Sequence, residues 1–311
     1  MRWTSPKLIY SLLFYSISAF SLFSQDSTQV GVGSSDSVAT GLKNMKGFHL
    51  GIFTGTLFAN AYTTNLYDGY GFDVNGNRND FANSFMYRRI VYDYGGMNGT
   101  TTDQIAAALN VSHNGWAFGS SDMPVNLHYN IALAVGLNTR YCFDNKTAVT
   151  LNVNAAKLTM NGDFTIATST YSNSIQSPWV VNTFGINGTE ERLNLQLGFQ
   201  RIMGNNSLIN FFAEGGLLIS MAKYLSNMAT INGLTIDLSA YYSQPAYNSF
   251  RAKGLTGIGT GAFAGAGFSL TPGKNWTIQL LYQPSLEKIN IGEAPKYVLQ
   301  NAAGLRAYYN F

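Results

Sequence analysis

Residues 125–143 read VNLHYNIALAVGLNTRYCF, and their side chains alternate with a period of two. The odd positions from Val125 to Phe143 are mostly apolar or aromatic, whereas even positions such as Asn130, Asn138 and Arg140 are polar or small. Successive side chains of a β-strand point to opposite faces, so the pattern predicts a strand with one apolar face. The run is far longer than an ordinary strand of ~5–6 residues, whereas a tilted membrane strand needs ~9–11. We therefore predict a membrane-spanning strand that continues beyond the bilayer.

The same alternation recurs in seven further segments, which gives eight predicted strands. These segments are 48–58, 149–154, 192–200, 209–220, 259–270, 276–283 and 299–311. An even number of strands with apolar outer faces is typical of closed barrels in bacterial outer membranes. The sequence therefore predicts an all-β fold, a transmembrane antiparallel up-and-down β-barrel.

Short and long connections alternate along the chain. The tight turns are predicted at 144–146, 204–206 and 272–275, and the long connections at 59–124, 161–190, 222–258 and 288–296. Short turns on the periplasmic side and long extracellular loops are the pattern of outer-membrane barrels, and it would make both termini periplasmic. Six Asn-Gly pairs, among them Asn161-Gly162, Asn187-Gly188 and Asn232-Gly233, predict hairpin turns in the loops, and residues 103–111 predict a short helix.

A ten-stranded barrel is the alternative. It would need a membrane hairpin within the first long loop, and FMYRRIVYDY at 85–94 is the best candidate strand. Because Arg88 and Arg89 are adjacent, one of them would face lipid, at a cost of ~2–4 kcal/mol at the bilayer midplane. We therefore assign this segment to an external loop.

The N-terminal residues predict export. A basic start is followed by a short apolar run from Leu8 to Phe23, and polarity begins abruptly after Ser24. This pattern indicates a cleaved signal peptide over 1–24, followed by a flexible periplasmic linker over 25–46 that is rich in Ser, Thr, Gly and Asp. The barrel domain is predicted to span 47–311.

The composition excludes several function classes. Only 11% of the 311 residues are charged and the net charge is +3, so no basic patch suggests nucleic-acid binding. One cysteine and three histidines at unrelated spacings predict no disulfide scaffold, no metal site and no cofactor. A lipid-acting enzyme would need a Ser–His pair, and no spacing ties His128 or His113 to a serine, so we do not expect an enzyme.

The polar face of an eight-stranded barrel fills its interior, which is just wide enough for side chains. In each predicted strand the residues that alternate with the apolar ones face inward. The charged or titratable residues at these inward positions are His49, His128, Arg140, Arg192, Glu214 and Arg306. Buried charges must be paired, and Glu214 is the only acid with inward parity within the predicted spans. We predict a structural polar network, with an Arg-lined narrow pore as the alternative.

Aromatic residues mark one predicted end of the barrel. Tyr141 and Phe143 abut the first tight turn and Trp276 follows the third, as expected for an aromatic girdle on the periplasmic side. The chain ends in LRAYYNF, with Leu305, Tyr309 and the final Phe311 at alternate positions. Residues 47–311 therefore resemble eight-stranded outer-membrane barrels of the OmpA/OmpX type. That resemblance implies a Gram-negative outer membrane, contact with its lipids, and recognition of the last strand by the barrel-assembly machinery. The Ser24-Gln25 junction resembles exported proteins of the Bacteroidetes type.

The expected function follows from location more than from chemistry. Loops rich in Tyr, Asn, Ser and Gly suit adaptable binding, so we expect a monomeric structural or surface-interaction protein that binds an unknown ligand through 59–124, 161–190 and 222–258. A narrow pore or a transporter of small apolar ligands is the alternative.

Overall fold

Eight antiparallel strands pair into a closed ring in the computed structural model. The model describes residues 46–73, 77–91, 101–169, 171–172, 175–176, 178–204, 208–239, 256–272, 275–291 and 296–311. The ring strands, which we label β1 to β8, are Gly47–Phe58, Ala132–Cys142, Thr147–Thr168, Val180–Met203, Ile209–Ile231, Thr256–Leu270, Trp276–Ile289 and Val298–Asn310. The first strand closes the ring by pairing with both β8 and β2. The predicted eight-stranded barrel is confirmed, and the ten-stranded alternative is wrong.

The segment proposed for a ninth or tenth strand is helical. Residues Phe85–Val91 form helix α1, and Thr101–Leu109 form helix α2 close to the predicted helix at 103–111. The first long connection also contains 3₁₀ turns at Ala61–Tyr67 and Ser120–Asp122 and short strands at Trp116–Ala117 and Val125–Tyr129. No helix in the described residues is long and apolar enough to cross a membrane.

Three of the ring strands are much longer than the others. The strands β3, β4 and β5 have 22, 24 and 23 residues, whereas β1 has 12 and β2 has 11. The extra residues continue above the ring as a sheet, which Trp116–Ala117 and Val125–Tyr129 extend beside β3 and Leu234–Asp237 extends beside β5. The predicted loops at 161–190 and 222–258 are therefore too long: the first begins in β3 and ends in β4, and the second begins in β5 and ends in β6.

The conformations of the Asn-Gly pairs show that strand pairing overrides the local preference of this dipeptide for turns. Asn232 and Gly233 have positive φ angles of 44° and 91° and form the predicted two-residue hairpin turn. Asn161-Gly162 and Asn187-Gly188 are instead cross-strand neighbours in the β3–β4 ladder, so the predicted turns there are wrong. Asn75-Gly76 and Asn98-Gly99, like the signal peptide and the linker up to residue 45, lie outside the described residues.

Polarity inverts along the long strands, as β3 shows. In its lower half Leu151 and Val153 point outward while Asn152 is fully buried inside the ring. Beyond Lys157 the order reverses, so that Leu158, Met160, Phe164 and Ile166 are buried and Thr159, Asn161, Asp163 and Thr165 lie on the outer face. The lower half therefore follows the polarity of a membrane barrel, and the upper half that of a water-exposed sheet.

The upper part has its own hydrophobic core. Side chains from both helices, the first loop and the extended strands meet there, including Met86, Ile90, Ile105, Phe118, Phe164, Phe184, Ile186 and Ile231. A β-bulge at the Thr189/Glu190 step of the β4–β5 ladder flips the parity of β5, so that Ala229 and Ile231 reach this core. We call this part the head, and define it by residues 68–73, 77–91, 101–129, 158–168, 180–190 and 224–237.

Glycine lets β6 and β7 approach closely. A Cβ added at Gly267 would lie 1.9 Å from the Leu280 carbonyl oxygen, and one at Gly259 would lie 2.3 Å from the Lys288 carbonyl oxygen. The Gly/Ala run of β6 is therefore a packing feature of the barrel wall. Pro284 follows directly on the predicted strand 276–283 and lies within β7, where it pairs with Asn301 of β8; the β6–β7 ladder has no pairs at Gln283 and Pro284.

Candidate functional site: a filled lumen below an extramembrane head

The lower lumen is organised around a buried ion pair. Arg306 Nη1 donates to Glu214 Oε2 at 2.6 Å, and both side chains are fully buried. Gln200 and Gln283 donate to the same carboxylate at 3.2 and 3.3 Å. Gln279 joins them through mutual amide hydrogen bonds with Gln200. The inward strand positions thus form a hydrogen-bonded layer across the barrel, which we call the lumen network.

Arg140 belongs to the same network but is held by neutral groups. Its guanidinium donates to Gln200 and Thr277 at 3.4 and 3.2 Å, and its Cζ lies 4.4 Å from the centre of the Tyr308 ring. Below it, Asn310 bridges Thr277 to the buried His49, whose Nδ1 lies 2.6 Å from Asn310 Oδ1. The structure therefore brings the predicted residues Arg140, Arg306 and Glu214 into one connected interior.

A second cluster closes the top of the lumen. Arg192 Nε donates to Glu190 Oε1 at 2.6 Å, and the hydroxyls of Tyr129 and Tyr67 donate to Glu190 Oε2 at 2.7 and 3.1 Å. Arg192 also donates to the Thr63 hydroxyl at 2.9 Å. Because Thr63 and Tyr67 lie in the 3₁₀ turn Ala61–Tyr67, this cluster ties the first loop into the barrel mouth. We call it the cap cluster.

Burial and the neighbouring Glu190 carboxylate hold the pKa of Tyr67 well above its ordinary value. The Tyr67 hydroxyl therefore remains a donor at neutral pH.

Sequence reasoning missed two of the three acids that the described strands bury inside the barrel. Glu190 and Glu287 are as buried as Glu214, which is the only inward acid within the predicted spans but not within the longer strands of the structure. Both lie beyond the predicted ends of the fourth and seventh strands, and the structure extends those strands to include them. Glu287 accepts from the hydroxyls of Ser220 and Ser285. Continuing the period of two past Gln283 would have placed Glu287 on the inward face.

His128 does not belong to the interior. It is exposed, and its Nδ1 lies 2.7 Å from the Asn126 carbonyl oxygen, so the predicted inward orientation is wrong. The predicted strand at 125–143 is broken at Asn130–Ile131, and the parity changes there. Tyr129, and not His128, points inward to the cap cluster. His113 pairs with Asp103 at 2.6 Å on the exposed part of the head, and neither contact involves a serine hydroxyl.

The outer face of the lower barrel is apolar. Large exposed side chains include Leu133, Leu197, Phe199, Leu217, Leu280 and Leu305, with exposed fractions from 47% to 70%. On β4 the outward apolar series runs from Leu193 to Phe199 and ends at Arg201, near the short turn. On β5 the outward positions from Phe211 to Met221 carry no charge, and at ~3.3 Å per residue and a ~40° tilt they span about 25 Å, the height of the apolar band of membrane barrels. Above it the outward, cross-strand neighbours Lys157, Glu191 and Lys223 end the apolar series on three adjacent strands. The lower barrel therefore spans a membrane.

The predicted girdle and terminal residues lie on this outer face, at the end with the short turns. Tyr141 and Phe143 pack edge to face at 5.4 Å, and Trp276 packs in the same way against Tyr309, which contacts Phe311. Leu305 points outward in the middle of β8. The first tight turn is stabilised by Asp144, whose Oδ1 accepts from the backbone N–H groups of Lys146 and Thr147. These hydrogen bonds lower the pKa of Asp144.

The stability cost of a charge on the outer face of β5 should show which part of the strand faces lipid and which part faces water. We expect Leu217→Arg to destabilise the folded protein by ~2–4 kcal/mol, because it places a cation against lipid tails. Thr230→Arg, on the outer face of the same strand in the head, should change stability by less than ~0.5 kcal/mol. Urea unfolding in lipid vesicles, with the heat-dependent gel shift as readout, measures the stability of both variants. Equal tolerance of the two substitutions would contradict the assigned membrane face.

Comparisons with known proteins give distant structural similarities. No protein-family model and no curated protein matches the sequence. Solved structures that it is similar to include Neisserial surface protein A, at 9% identity and a TM-score of 0.40, covering 86% of this chain and 98% of that one. The attachment invasion locus protein Ail of Yersinia pestis gives 12% and 0.33, covering 86% and 99%. The outer membrane protein OprG from Pseudomonas aeruginosa gives 11% and 0.34, covering 87% and 95%. At these identities no residue role passes from those proteins to this chain. The eight-stranded barrel expected from the resemblance to the OmpA/OmpX type is present, and it rests on the strand pairing described above.

Proposed function

We propose that this chain is an integral outer-membrane protein that acts through its head, as a surface-interaction protein with the barrel as anchor. The observation that carries the proposal is the head itself. It is a folded unit with its own buried core, built on three uninterrupted barrel strands. A passive covering of loops would not need a core of this size, whereas a binding surface gains affinity when it is ordered in advance.

The filled lumen favours a role of the barrel as a membrane anchor over a role as a pore. Its charged side chains are paired or hydrogen-bonded across the barrel, and the first loop covers its mouth through Thr63 and Tyr67. Porins that conduct freely use ~16–18 strands, because eight leave room only for side chains. In this proposal the head faces the cell exterior, the short turns and both termini are periplasmic, and the last strand is the segment that the assembly machinery recognises.

The test compares the full-length protein with a head variant in the outer membrane. Residues 81–122, which include both helices, are replaced by a short Gly-Ser linker, so that the cap turn Ala61–Tyr67 is retained. Binding of cells carrying each protein to host cells and to extracellular matrix is then measured. We expect binding by the wild type and at least a tenfold loss in the head variant.

Two controls make the result decisive. The heat-dependent gel shift must show that the barrel of the variant is still folded, and planar-bilayer recordings should show no stepwise conductance for either protein. Binding that persists without the head would contradict the proposal. Steady conductance by the wild type would favour the pore.

A further inference from the structure

A cavity of about 30 Å³ lies inside the barrel between the lumen network and the cap cluster. Apolar side chains line part of its wall, among them Phe53 and Leu57. The polar side chains around it are Arg192 from the cap cluster, Gln196 and Gln283 from the lumen side, and Asn154, Asn194 and Ser285. The cavity therefore separates two sets of hydrogen-bonded groups that are each well connected.

Three buried polar atoms of lining residues have no hydrogen-bond partner among the described protein atoms. They are Arg192 Nη1, Asn154 Oδ1 and Asn194 Oδ1. Arg192 is 2% exposed and Asn154 is 9% exposed, so bulk solvent does not satisfy them. A buried polar group without a partner costs ~1–3 kcal/mol, and more when it is charged. Three such atoms around one cavity call for an occupant that bonds to all of them.

The chemistry of the lining selects that occupant. Arg192 Nη1 is a donor and the two amide oxygens are acceptors, so the occupant must both accept and donate hydrogen bonds. An inorganic anion accepts only, and it would face two amide oxygens. Water does both, makes two to four hydrogen bonds when buried, and needs a cavity of only ~10–15 Å³ on this measure. An exchange of amide oxygen and nitrogen in either asparagine leaves this argument intact, because water pairs with both.

We infer that this cavity is a bound-water site, in which one or two ordered water molecules accept from Arg192 Nη1 and donate to Asn154 and Asn194. The water also lies beside Gln196 and Gln283, and Gln283 donates to Glu214. It therefore joins the cap cluster to the lumen network, and the hydrogen-bonded column runs from His49 at the short-turn end to Tyr67 below the head.

The direct test is nuclear magnetic resonance of the whole protein in lipid nanodiscs. Cross-relaxation between water and the side-chain amides of Asn154 and Asn194 is expected, with the sign of a long-lived bound molecule. The matched control is Asn152, whose amide oxygen and nitrogen are both bonded to protein groups. Water cross-peaks at Asn154 and Asn194 but not at Asn152 support the site. Their absence from all three residues overturns it.

A cavity-filling variant gives an independent test, because the expected change in melting temperature has opposite signs for a hydrated and an empty cavity. Ala134 is buried and lines the cavity, so Ala134→Val fills it with methyl groups. Filling a dry void raises the melting temperature, whereas displacing water that satisfies Arg192 lowers it by several degrees. Ala264→Val adds the same methyl groups on the lipid-facing side of β6 and controls for the strand preference of valine. A melting temperature of Ala134→Val above that of the control overturns the inference.

Discussion

Replacement of Glu214 by glutamine is expected to destabilise the barrel by ~3–5 kcal/mol, because it leaves the fully buried guanidinium of Arg306 without its counter-charge. Glutamine keeps the shape of the side chain, so the loss reports charge and not a cavity. Urea unfolding in lipid vesicles, with the heat-dependent gel shift as readout, measures the effect.

Two further variants separate the ion pair from general disruption. The double variant Glu214→Gln with Arg306→Met removes both charges, and we expect it to recover most of the stability that the single variant loses. Glu191→Gln is the matched control: it makes the same chemical change at an outward, partly exposed site and should cost less than ~0.5 kcal/mol. If Glu214→Gln is as mild as the control, the lower lumen is wet enough to solvate Arg306, and the argument against a pore loses its physical support.

Truncation of Phe164 is expected to unfold the head while the membrane barrel remains. Phe164 is fully buried and contacts Phe118 and Phe184 at ring-centre distances of 6.5 and 5.8 Å. Phe→Ala in a packed core costs ~3–5 kcal/mol, and here the loss falls on a core separate from the one around Phe53 and Phe212 in the barrel.

Hydrogen exchange read by mass spectrometry localises the effect. Amide protection should fall in the upper residues of β3, β4 and β5 and persist in 193–203. Phe211→Ala, on the lipid face where the side chain is 40% exposed, is the control and should leave the head protected. A uniform loss of protection along β4 would mean that head and barrel unfold as one unit.

The barrel could be predicted from the sequence because membrane strands obey one simple rule. Lipid outside and a narrow interior force a strict alternation, and residues such as Leu193, Leu195 and Leu197 make it visible without knowledge of pairing. The inward positions of Arg140, Arg192, Arg306 and Glu214 followed from the same parity. The strand count followed as well, since Arg88 and Arg89 argued against an additional membrane hairpin.

The head could not be predicted in the same way, although part of its signal was present. Past Lys157 the even positions Leu158, Met160, Phe164 and Ile166 continue the alternation with the opposite polarity. Most of this stretch nevertheless falls in the loop predicted at 161–190. The orientation of Tyr129 and His128 depends on the break at Asn130, which no local pattern indicates. Contacts such as Thr63 with Arg192 join segments 129 residues apart in the chain, so only the folded barrel brings them together.

The uninterrupted passage of β3, β4 and β5 from membrane to head has a mechanical consequence. No hinge separates the two parts within the described strands, so the head holds a fixed orientation relative to the barrel. A force that pulls on the head is carried by these three strands in parallel, and in the barrel it shears the β2–β3 and β5–β6 ladders, where many hydrogen bonds must slide together before any single one can break. Such a connection resists shear far better than a loop whose hydrogen bonds break one after another.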